Sequence, residues 1–174
     1  MLFRYFMINA QDVFESVRRG YNELEQASNS DIIQYFEDIE PDSMMGHVSN
    51  IKGILFEQEY VELLATQGIE ASIFEATNHP ITDLSIFEDG EAMSELQLKA
   101  TDSVSYINAT LDANPDIEIV TTSEVAAHFD DPMVIDSGIE EAVLENAVLD
   151  TLADDIVNPV SPLSVLSWII GLPF

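Results

Sequence analysis

The chain has 174 residues, with 33 Asp and Glu against 5 Lys and Arg, for a formal net charge of −28 at neutral pH. That length makes one domain, or one domain with a small appendage, and buries a core without disulfides or a structural metal. The charge balance excludes a simple basic-patch nucleic-acid binder, and a hydrophobic fraction of 47% with 7 Gly and 7 Pro excludes collagen, a low-complexity tract and a wholly disordered chain.

Residues 9–27 read as a helix, because Val13, Phe14, Val17, Tyr21 and Leu24 recur at three- and four-residue spacing. Residues 31–39 read as a second, short helix ended by Pro41, and 41–50 as a connector. Over 50–67, Ile51, Ile54, Leu55, Tyr60, Val61, Leu63 and Leu64 form a broad apolar helix face, with Gly68 as its C-cap. Strands are predicted over 69–77, 81–87 and 92–100, separated by Asn78-His79-Pro80 and by the hairpin chemistry of Glu88-Asp89-Gly90. A helix over 101–111 stops at Asn114-Pro115, and a fourth strand follows over 117–122, then a short helix over 123–129. Ser137-x-x-Glu140 resembles a capping box opening a last helix to about residue 157, with Ile139, Val143, Leu144, Val148 and Leu152 inward. No repeat is visible. The order helix, three strands, helix, strand predicts an α/β fold, in which an antiparallel meander is joined by a parallel strand in a mixed sheet flanked by helices.

The absence of cysteine excludes disulfides, thiolate metal sites and a cysteine nucleophile. Arg4, Arg18, Arg19, Lys52 and Lys99 are the only cations, and none follows Lys99. The acids are scattered, so they do not form an acidic tail. A salt-adapted surface, a nucleic-acid mimic and an ordinary acidic protein kept soluble by repulsion all fit such a charge; composition favours the first or third. The start does not read as a convincing signal peptide, since its short apolar run is broken by Arg4 and lacks a small-residue cleavage site. The apolar end, 163–174, is shorter than the ~20 residues of a bilayer span. It reads as a core or dimer-interface segment, or as the start of a membrane segment. The expected location is the cytoplasm, in a salt-adapted host.

Candidate chemistry sits on the strands. On 92–100, Met93, Glu95, Gln97 and Lys99 share one face, and on 81–87 Asp83 and Ser85 share a face. Polar rows in an apolar sheet need a partner or a purpose. Pairing across the Glu88-Asp89-Gly90 turn brings Asp83 near Gln97 and Lys99: oxygen ligands for a hard divalent cation, beside a lysine that positions water or stabilises phosphate charge. Glu59 and Glu62 read as helix surface; Ser103 and Tyr106, on the helix after Lys99, either face the site or pack, with packing favoured. His47, His79 and His128 are spread along the chain, and no Ser/His/Asp order, phosphate loop or HExxH occurs.

The segment Lys52 to Glu57, a helix ending at Gly68, then Asp83 and then Gln97-Leu98-Lys99 resembles the PD-(D/E)XK nuclease superfamily over roughly residues 47–125. The resemblance implies a restriction-endonuclease-like core over 47–130, with an N-terminal helical arm (1–46) and a C-terminal helix and apolar tail (131–174). It implies hydrolysis of nucleic-acid phosphodiesters, DNA before RNA, with Mg²⁺ or Mn²⁺. By the same resemblance Glu57, Asp83, Gln97 and Lys99 are the catalytic residues and Asp83, Gln97 and Glu95 the metal ligands. Gln97 departs from the usual Asp or Glu, which removes a negative ligand; Glu95, two residues earlier, is its substitute. Pro80 lies three residues before Asp83 instead of adjacent to it. Two other readings stand beside this one: a catalytically silent descendant of the fold serving as an interaction module with a protein partner, and an acidic nucleic-acid mimic.

Overall fold

A computed structural model describes residues 8–74 and 81–152. Helix α1 (Ala10–Gly20) begins at Asn9, whose side chain accepts from Gln11 N–H while the Asp12 carboxylate accepts from Asn9 N–H. This reciprocal cap aims Val13, Phe14 and Val17 inward. A 3-10 turn (Asn22–Leu24) leads to α2 (Asn29–Glu37), capped by Ser28 and Asp31 in the same way.

The connector expected over 41–50 is helix. Pro41 is the first residue of α3 (Pro41–Thr66), where its fixed φ suits the first turn and its missing N–H has no intrahelical role. Met44, Val48, Ile51 and Leu55 continue one buried stripe at helical spacing. Tertiary burial of that stripe outweighs the weak propensities of Ser43, Gly46, Ser49 and Asn50. The domain boundary placed between 46 and 47 falls inside this helix.

Strands β1 (Glu70–Ile73), β2 (Leu84–Glu88), β3 (Glu91–Lys99), β4 (Ile119–Thr121) and β5 (Val134–Asp136) form one mixed sheet in sequence order. β1, β2 and β3 pair antiparallel; β3, β4 and β5 pair parallel. Glu88 faces Glu91, so Asp89-Gly90 is a two-residue hairpin loop with positive φ at both positions. That is the turn whose twist matches the sheet, and Asp-Gly tolerates it. The crossover from β3 to β4 runs through α4 (Val104–Ala113). A short helix α5 (Ser123–Ala126) precedes β5, a strand the sequence did not suggest, and α6 (Glu141–Leu152) closes the described fold.

The sheet is covered on both faces. Leu84, Leu96, Leu98 and Val120 pack with the apolar faces of α1, α2, α3 and α6 in one cluster; Ile119 packs with Ile107 of α4 and Val125 of α5 in another. The putting of α1, α2 and α6 on one core leaves no separate N-terminal arm in packing terms. Ile139, Leu144, Val148 and Leu152 are buried as expected, whereas Val143 is exposed. Ser137 does not cap α6. The Glu124 carboxylate instead accepts from Glu141 N–H at 2.8 Å and Ala142 N–H at 3.4 Å, so α5 caps α6 in space. Glu124→Ala is expected to cost about 1 kcal/mol, the usual loss for a helix N-terminal cap, measured by chemical denaturation. Among the described residues, no helix is long and apolar enough to cross a membrane. The expectations for 75–80, for the end of the last helix and for the apolar tail fall outside the described residues.

Candidate active site

Strand alternation puts Leu96 and Leu98 in the α3-side core, and therefore Gln97 and Lys99 on the opposite face of β3. Asp83 lies one residue before β2, its Oδ2 accepting from Leu98 N–H at 2.8 Å. This bond ties the carboxylate to the neighbouring strand where the β2 ladder ends. Lys99 Nζ lies 3.7 Å from the same oxygen. Glu57 comes from α3, in the layer packed on the other side, and meets this pair at the end of the sheet. Glu57, Asp83, Leu98 and Lys99 line one open cleft of about 410 Å³, with Ser49, Asn50 and Gly53 of α3 and Tyr106 of α4.

The electrostatics of the cleft centre on Glu57. Burial raises its carboxyl to about 7, and the negative charge of Asp83 pushes the same way; Arg19 and Lys99 oppose them. Glu57 thus exchanges its proton near neutrality. The backbone entering Asp83 is also unusual: Ile81 holds φ at 76°, a left-handed conformation that a β-branched side chain rarely adopts. It stores on the order of 1–2 kcal/mol of strain two residues from the carboxylate.

The remaining site candidates lie elsewhere. Gln97 is buried, with 8% of its surface exposed, and does not line the cleft. Its Oε1 has no hydrogen-bond partner among the described residues. Glu95 is exposed, accepts from Thr82 Oγ1 at 2.8 Å and does not line the cleft either. His79 falls outside the described residues. His47 Nδ1 is hydrogen-bonded to Tyr21 OH at 2.7 Å, inside the aromatic cluster of Tyr21, Tyr35 and Phe36. His128 sits in a second cavity of about 170 Å³ with Asp102, Glu124 and Glu141; there Glu124 caps α6 and Glu141 pairs with buried Lys52.

Two residues matter to the cleft more than the sequence reading allowed. Tyr106, expected to pack, is 50% exposed and lines the cleft. Arg19 acts on Glu57 from the end of α1, held there by donating from Nη2 to the Phe74 carbonyl at 2.6 Å. Its only sequence signal is its place among five cations, and at a helix C-terminus that reads as dipole compensation.

Among the described residues, no group of three or more His, Cys, Asp or Glu side chains is placed to hold a metal ion. A hard divalent cation such as Mg²⁺ needs less, because it keeps several waters and takes one or two carboxylates. Asp83 offers a charged oxygen. Gln97 carries a buried oxygen without a partner among the described residues, but it lies outside the cleft. Within the cleft, the Asp83 carboxylate with several waters is the donor set that fits a hard cation. No family model, curated protein or solved structure matches the chain.

Proposed function

We propose that the chain is a metal-dependent phosphodiesterase acting on nucleic acid, with the restriction-endonuclease-like core that its sequence resembles. One observation carries this reading: Glu57 of α3, Asp83 just before β2 and Lys99 of β3 line a single cleft. Asp83, the cleft carboxylate beside Lys99, is the residue that would hold a divalent cation, with waters completing its shell. When bound, that cation neutralises phosphoryl oxygen charge and acidifies water. Lys99 places an ammonium where the attacking water and the charged phosphoryl group meet, and Asp83 keeps that ammonium aimed into the cleft. Glu57, raised to about 7, accepts the proton from the attacking water. The water oxygen then bonds to phosphorus, the bond to the leaving oxygen breaks, and that oxygen takes its proton from solvent.

Incubation of labelled DNA and RNA with the protein and Mg²⁺ or Mn²⁺, at low and high salt, tests the reading. Cleavage that EDTA abolishes is the expected result. A folded protein that cleaves nothing under any of these conditions would favour the silent interaction module, for which the exclusion of Gln97 and Glu95 from the cleft already speaks.

A further inference from the structure

We propose that the cleft takes one unpaired nucleotide at a time from a single strand, with its base stacked on Tyr106. The inference rests on the hydrolytic reading of the cleft and names its substrate class. Three observations lead to it.

The first is size. A volume of about 410 Å³ falls in the range of pockets that enclose one small-molecule-sized group. It suits a single nucleotide unit; a duplex must lie across the opening. Gly53 leaves the α3 wall open, since a Cβ there would meet nothing within 4 Å.

The second is the available cations. Duplex binding draws chiefly on Lys and Arg that neutralise backbone phosphates. The described cations have other partners. Arg18 donates to the Ala27 carbonyl and to Asn29, Arg19 to the Phe74 carbonyl, and Lys52 to Glu141 and Glu145. Lys99, beside Asp83, is the one that lines the cleft. The described surface therefore has no row of free cations to track a duplex, and the net charge of −28 opposes one. Recognition has to come from something other than phosphate.

The third is Tyr106. The residue is half exposed at the cleft wall in the first turn of α4, where its backbone N–H donates to Ser103 Oγ at 3.2 Å. Among the described residues it makes no ring contact and its hydroxyl has no hydrogen-bond partner. An exposed aromatic face beside the cleft is the stacking platform that single-strand binders use, and it needs no positive charge. The hydroxyl of Ser49, on the same cleft, supplies a polar group for the base edge.

The test measures binding and hydrolysis together, on the full chain with Mg²⁺. The probes are a fluorescent thymidine oligomer, the same strand in a duplex, and the variants Tyr106→Ala and Tyr106→Phe. The expected result is preference for the single strand, a loss of about ten- to a hundredfold in its affinity in Tyr106→Ala, and recovery in Tyr106→Phe, which keeps the ring. Single-strand affinity should hold or rise from about 0.1 M to about 1 M salt, because few counterions are released and repulsion is screened. Hydrolysis with no strand preference and no effect of Tyr106→Ala overturns this inference and leaves the phosphodiesterase reading standing. Tyr106-dependent single-strand binding without hydrolysis supports the stacking site and overturns the hydrolytic reading. Neither binding nor hydrolysis overturns both.

Discussion

Lys99→Ala is expected to lower metal-dependent hydrolysis by about a thousandfold, in the range seen when one preorganised group aimed at developing charge is removed. The argument is geometric. Lys99 ends β3 on the face opposite the α3-side core, and its ammonium lies 3.7 Å from Asp83 Oδ2 in a cleft that also holds Glu57. Substitution leaves Leu96 and Leu98 in the core untouched, so the fold should survive. Lys99→Arg should restore little, because a planar guanidinium is not a compact point charge. Asp83→Asn should be as damaging for a different reason: it keeps an oxygen for Leu98 N–H and loses the charge that orients Lys99 and receives a cation. The measurements are kcat for the variants, with thermal unfolding alongside. Lys99→Ala activity within threefold of the parent protein would move the chemistry out of this cleft.

What the sequence revealed and what it hid divide by how local the cause is. The Asp89-Gly90 hairpin was legible because two adjacent residues determine its twist, and it fixes the register that brings β3 beside β2. From that register the nearness of Asp83 and Lys99 followed. The first turns of α3 were hidden behind Pro41, Gly46, Ser49 and Asn50, each of which reads as a loop signal in isolation. Burial of Met44 and Val48 in the shared core is what makes the segment helical. β5 has three residues, and its place is set by pairing with β4.

The site divides in the same way. Strand spacing showed Asp83 and Lys99 on polar faces. The meeting of Glu57 with them depends on how α3 crosses the end of the sheet, which no local pattern encodes; the family resemblance supplied that expectation. Gln97 shares a strand face with Lys99 and yet is buried away from the cleft, because its parallel pairing with Ile119 carries it beneath α4 and α5. Tyr106 and Arg19 belong to helices whose ends happen to open on the cleft, and helical periodicity says nothing of where an end opens.

Glu59 shows the same limit, and it carries the largest expected effect on stability. Read as surface, it is only 4% exposed, on α3. Burial raises its carboxyl from an ordinary 4.5 to about 7, and the charges of Asp12 on α1 and Glu62 on α3 add to the rise. A carboxyl raised in the folded state releases its proton more readily when unfolded. Between about 4.5 and about 7 the folded chain therefore binds more protons, and stability falls as pH rises through that window. A separation of this size corresponds to about 3 kcal/mol at most once Glu59 is ionised. Glu59→Gln removes the ionisation and keeps the shape. It should match the parent protein near pH 4.5 and exceed it by about 2–3 kcal/mol near pH 8, measured by urea unfolding at both values. Repulsion among the other acids also weakens the fold as pH rises, but it acts on both proteins and cancels in their difference. So does the parallel contribution of Glu57. Salt separates the two causes further: about 1 M salt screens surface repulsion while leaving a buried carboxylate poorly solvated, so the advantage of Glu59→Gln should persist there. A difference independent of pH would mean that Glu59 is hydrated in solution and that α1 does not seal this part of α3.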